Sequence, residues 1–173
     1  SSDVQTSIET TDFVGSTTPV TSAVTSFTIS GLDLNDGEEY IFDYWLNNTA
    51  GSTALYYIGV NGEDGTTGYQ TQLSEFTNTT VTASKTTTGL IGFANTTRNA
   101  TGFGRITMSG NSGVFVASDL HTNLGASPEH AMYRVWRDST LSGSITSVKI
   151  TSSVTNGIGV DSYFRIKRKV GAS

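Results

Sequence analysis

The feature that most constrains this chain is a cadence. Short runs of alternating apolar and polar residues recur about every 8–12 residues, with Gly, Asn, Asp and Ser between them. A strand turns successive side chains to opposite faces, so each such run buries one face and wets the other. The clearest is Glu39 to Asn47, where Tyr40, Phe42, Tyr44 and Leu46 point one way and Ile41, Asp43 and Trp45 the other. Strands are predicted also over 24–30, 54–60, 69–76, 79–84, 89–94, 102–108, 114–117, 132–137, 145–154 and 160–170. Asn48 to Thr53, with Gly51, reads as a hairpin loop. Ser118 to Glu129 shows no clear alternation and is predicted to be a long loop with room for a helical turn. Long loops of compact domains commonly serve function or an interface.

Composition agrees with the cadence. Ser and Thr make up roughly 30% of the chain and charged residues only 14%, against a usual quarter. Thr is β-branched and suits a half-exposed strand. No stretch rich in Ala, Leu, Glu and Lys supports a helix. The expected fold is all-β: a jelly-roll-like antiparallel β-sandwich over residues 19–173. An extended Thr/Ser-rich N-terminal arm over 1–18, with room for an edge strand, precedes it, and Pro19 marks the boundary.

Several function classes are excluded as expectations. A net charge of −5 disfavours a phosphate backbone as main partner, so no nucleic acid is expected. No run of about 20 apolar residues is present, so no membrane-spanning helix is expected. Ser1 to Ile8 lack a charged start and an apolar run, and do not read as a signal peptide. There is no cysteine, no HExxH and no metal-spaced histidine pair, so neither a zinc site nor a cofactor is expected.

Catalysis meets further obstacles. Gly110-Asn111-Ser112-Gly113 faintly resembles the nucleophile loop of chymotrypsin-like proteases, but His121 and His130 both follow Ser112, the reverse of that family's order. Asp33, Asn35, Asp36, Glu38 and Glu39 crowd one turn, and Glu63 and Asp64 another. A glycosidase needs two carboxylates across a cleft, and nothing in the sequence brings these together. Asp33, Asn35, Asp36 and Glu38 form a weak calcium candidate, since the twelfth position of an EF-hand loop would be Tyr44 instead of glutamate. The chain is expected not to be an enzyme.

Binding features are better represented. Arg165, Lys167, Arg168 and Lys169 concentrate four of ten basic residues in the last predicted strand. They read either as protection of a sheet edge or as a docking stripe for an acidic partner. Arg165, Lys167 and Lys169, with His121 and Asn123 of the long loop, are the candidate partner-binding residues. Trp45, Tyr56, Tyr57, Tyr69 and Trp136 could stack on sugar rings, although aromatics on alternating strands more often fill a core. Asn47, Asn78, Asn95 and Asn99 each begin an N-glycosylation acceptor triplet, a pattern that arises easily by chance in a Thr-rich chain.

Several segments together resemble a β-sandwich domain of virion proteins from tailed bacteriophages and some archaeal viruses. They are Ser26–Asp33, Asp36–Tyr40, Asn61-Gly62 with Tyr69–Gln72 downstream, and Asn156–Ser162 before Phe164-Arg165-Ile166. The resemblance covers roughly residues 24–170 and departs at Glu63-Asp64-Gly65. It implies a virion structural protein on the particle surface, either a capsid-decorating (cement) subunit or a tail component. Such a protein binds the major capsid protein or tail subunits and forms a symmetric homo-oligomer, a trimer being one option. It transfers no catalytic residue. The alternative expectation is a carbohydrate-binding module that recognises a host surface glycan, which requires aromatics exposed in a row on one sheet.

Overall fold

A computed structural model describes residues 11–16, 19–35, 37–77, 79–108, 114–123 and 128–169. Among these, twelve strands form two antiparallel sheets. The larger has eight strands, in the order β1 (Thr11–Ser16), β12 (Tyr163–Lys169), β3 (Glu39–Asn47), β8 (Asn99–Met108), β9 (Val114–Asn123), β10 (Pro128–Arg137), β5 (Tyr69–Thr77) and β6 (Thr80–Thr86). The smaller has four, in the order β2 (Ser26–Leu34), β11 (Ile145–Ser152), β4 (Ala54–Val60) and β7 (Leu90–Ala94). The expected antiparallel β-sandwich is what forms.

The core lies between the inner faces, and the alternation of β3 decides its composition. Tyr40, Phe42, Tyr44 and Leu46 are fully buried. On the neighbouring strand β8, Gly104 lies opposite Phe42 and Gly102 opposite Tyr44. A Cβ on Gly102 would lie 2.3 Å from the Tyr44 ring, and one on Gly104 2.7 Å from Phe42. These glycines leave the space that the two rings occupy, a known reason for glycine inside a strand. Phe164 of β12 stacks on Phe42 at 4.9 Å and on Tyr44 at 6.1 Å.

Tyrosine hydroxyls tie the sheets across this core. Tyr44 of β3 donates to the Ile91 carbonyl of β7 at 2.9 Å. Tyr69 of β5 accepts from the Val60 amide of β4 at 3.1 Å and donates to Glu63. Tyr56 of β4 donates to the Gly157 carbonyl at 2.9 Å. Each phenol buries a large ring and still satisfies its polar end.

Three sequence expectations need correction. Asn48 to Thr53 does not close a hairpin: it crosses from β3 in the larger sheet to β4 in the smaller, so the two strands it joins do not pair. Ser118 to Glu129 is not a long loop. Ser118–Asn123 belongs to β9 and Pro128–Glu129 to β10, which pair from Pro128↔Asn123 to Trp136↔Phe115. The alternation was hidden because a polar residue, Ser118, takes an inward position between Val116 and Leu120, while Ala117 lies between those inward positions. Burial of Ser118 is tolerated because its hydroxyl donates to the Ile91 carbonyl at 3.3 Å. The last strand is also not an edge: β12 lies between β1 and β3. Segment 11–16 takes the outer place, so the basic residues of β12 do not guard a free edge.

Candidate functional site

The outer face of the eight-stranded sheet carries a row of rings, exposed at Phe103 and His121 and half-buried at His130 and Phe76. Phe103 stands on β8, His121 on β9, His130 on β10 and Phe76 on β5, four adjacent strands. His121 lies directly opposite His130, and His130 directly opposite Phe76. Phe103 pairs with Asp119, which places it diagonally from His121. The ring centroids follow at 6.2, 4.8 and 5.5 Å, with interplanar angles of 15–20°. Strands lie about 4.8 Å apart, so rings standing side by side on neighbouring strands stack at this spacing. Val81 of β6, opposite Phe76 and 64% exposed, extends the row to a fifth strand.

A shallow depression of about 320 Å³ adjoins the Phe103 end. Phe103, Ile41 and Ala117 give it apolar surface, and Glu39, Arg105, Asp119 and Arg134 line the rest. The charges are of both signs and partly matched. Arg105 lies 3.7 Å from Glu39, and His130 Nε2 lies 3.7 Å from Asp119. Arg134 donates to the Tyr133 carbonyl at 2.9 Å. Phe103 itself is 53% exposed, a large apolar surface left in water between hydrogen-bonding groups.

The predicted partner-binding residues divide between this face and its margin. His121 stands in the ring row. Asn123 closes β9, paired with Pro128. Arg165 is engaged within the chain: its Nη2 lies 2.6 Å from Asp43 on β3, and its guanidinium sits 4.8 Å from the Tyr163 ring centroid. The Asp43 carboxylate beside it raises the Arg165 pKa further. Lys167 pairs with Ile41 and is exposed, and Lys169 pairs with Thr11. Arg168 forms an ion pair with Glu38. Of the suggested sugar-stacking aromatics, Tyr56 and Tyr69 are core, whereas Tyr57, Trp45 and Trp136 are half-buried.

The carboxylate turns act as local structure. In the weak calcium candidate, the Asn35 amide donates to Glu38 at 2.7 Å and the Asn35 side chain to Asp33 at 3.3 Å. Glu38 is further held by Arg168, and Asp36 lies outside the described residues. No group of three or more His, Asp or Glu disposed to hold a metal occurs among the described residues. Glu63 is gripped by Arg137, with Nε at 2.9 Å and Nη2 at 2.5 Å, while Arg137 Nη1 donates to the Ser139 and Thr140 carbonyls. That guanidinium holds the Glu63 carboxyl below its ordinary range, outweighing partial burial. Burial and the adjacent Glu63 push the Tyr69 phenol up. The two turns sit at Arg168 of β12 and Arg137 of β10, with three strands between, so they do not form one acid–base pair. Ser112 lies outside the described residues.

Phe103 and Phe76 are not predicted from the sequence to share one face with the two histidines; that grouping comes from the strand order. One signal was present. With Ala100, Gly102, Gly104 and Ile106 of β8 directed inward, Phe103 must point out. The other three rings depend on which strands become neighbours. Comparisons with protein-family models, with curated proteins and with solved structures find no match.

Proposed function

We propose that this chain is a non-enzymatic surface module of a virion, a capsid-decorating or tail-associated subunit that binds neighbouring virion proteins. Its resemblance to β-sandwich virion proteins motivates that setting. The observation that supports a binding role is the ring row Phe103–His121–His130–Phe76 on an open sheet face. Aromatic surface framed by charges of both signs suits a protein interface, whose central anchors are aromatic and whose rim is polar. Particles purified from the source virus are expected to contain the chain by protein mass spectrometry. Phe103→Ala combined with His130→Ala is expected to reduce its incorporation at least about tenfold. Absence of the chain from purified particles would refute the reading.

A second reading, a host-glycan module, is favoured by one specific feature: the depression beside Phe103. A pyranose presents an apolar face that stacks on an aromatic ring, while Asp119, Arg134 and Arg105 offer acceptors and donors to its hydroxyls. A glycan array probed with the purified chain is expected to show hits that Phe103→Ala abolishes. An array without hits removes this reading and leaves the first intact.

A further inference from the structure

We infer that β6 is a self-pairing edge through which two copies of this chain join their eight-stranded sheets into one. This rests on the strand's edge chemistry and not on the ring face. The two sheets have four edge strands: β1, β6, β2 and β7. The pairings of β1, β2 and β7 are each interrupted by a register shift, at Phe13/Gly15, Ile145/Ser147 and Tyr56/Tyr57. Such irregularities blunt an edge against further pairing. β6 alone runs in unbroken register, from Thr71↔Thr86 to Thr77↔Thr80. It contains neither proline nor glycine, and its one charge is Lys85. Thr80 to Lys85 are all exposed, on both faces, with only Thr86 half-buried. Among the described residues no strand lies beyond it, so the N–H and C=O groups that point away from β5 have no strand to meet.

The occupant is a second copy of this chain, because the strand's own sequence, Thr80-Val81-Thr82-Ala83-Ser84-Lys85-Thr86, is nearly symmetric about Ala83. A twofold axis through Ala83 pairs two copies antiparallel over the whole strand. Ala83 then faces Ala83 of the second copy, Thr82 faces Ser84, Val81 faces Lys85 and Thr80 faces Thr86. Small residues meet at the axis, hydroxyls meet hydroxyls, and the Lys85 stem covers Val81. No like charges face each other, which is the condition antiparallel cross-strand pairs require. A self-complementary patch of this kind closes as a dimer, because a twofold contact uses the same surface on both copies.

The test is sedimentation velocity of the full chain over a concentration series at low salt. The unmodified chain is expected to approach about twice its 18.3 kDa mass. Val81→Lys sets a second ammonium against Lys85 of the other copy at two places, and is expected to weaken association about tenfold or more. Val81→Glu sets a carboxylate there instead and is expected to keep the dimer. Val81→Lys combined with Lys85→Glu is expected to restore it. All these side chains are exposed in the single copy, so an unchanged circular dichroism spectrum separates lost pairing from lost folding. A monomer at about 100 μM throughout, a trimer, or a dimer indifferent to the charge at position 81 overturns the inference.

Discussion

Gly102→Ala offers the sharpest test of how this core is built. The new Cβ would lie 2.3 Å from Tyr44 Cζ, 2.4 Å from its Oη and 2.6 Å from Cε1. Carbon atoms are comfortable at about 3.5–4.0 Å, so the ring must withdraw by more than about 1 Å. It has nowhere to go. Tyr44 is fully buried, stacked against Phe164, and its hydroxyl is held by the Ile91 carbonyl of the opposite sheet. Overpacking of this kind costs about 1–3 kcal/mol, and a strained or lost buried hydrogen bond adds about 1 kcal/mol. A loss of about 2–4 kcal/mol is expected, equivalent to a fall in Tm on the order of 4–16 °C for a domain of this size. Urea unfolding with linear extrapolation measures it. Gly51→Ala is the control: nothing lies within 4 Å of its Cβ and its φ is not positive, so a change within about 0.5 kcal/mol is expected. In a Tyr44→Leu background most of the Gly102→Ala cost should vanish, since the two changes share one contact. A neutral Gly102→Ala, or an equal cost in the absence of the ring, would show that Tyr44 does not need the space beside Gly102.

Four further outcomes follow from the polar groups. Glu63 has its folded pKa depressed below 4.5, first by the Arg137 hydrogen bond; its stabilisation is present above the unfolded value and is lost as pH falls through the folded one. Melting scans from pH 7 to pH 2 should therefore show a shallower acid decline for Glu63→Gln than for the parent. Glu129 has the opposite sign: burial, then Glu75, raise its pKa above 4.5, so folding is penalised as pH rises past the unfolded value. Glu129→Gln should raise Tm at pH 7, with the gain disappearing below the carboxylate range. Finally, Tyr44→Phe should destabilise by about 1 kcal/mol, because the Ile91 carbonyl loses one of its two buried hydrogen bonds and keeps the one from Ser118. Tyr133→Phe should be neutral or stabilising in the same denaturation assay, because the buried Tyr133 hydroxyl finds no partner among the described residues.

The sequence alone determined the strands and their facing. Period-two alternation is a local property, so Tyr40, Phe42, Tyr44 and Leu46 could be placed on one face and Ile41, Asp43 and Trp45 on the other without any partner strand, while packing decided that the first set is the buried one. It failed locally only where alternation was disguised, as at Ser118, whose inward hydroxyl is satisfied by a carbonyl of the other sheet. Tertiary structure alone decided the neighbours. Whether β12 was an edge depended on segment 11–16 pairing with it. The same holds for the candidate site. Phe76, Phe103, His121 and His130 are separated by up to 54 positions in the chain, and become one stacked row only because β8, β9, β10 and β5 lie side by side in this register. Strand order is set by burial summed over both sheets, and no local pattern encodes that sum.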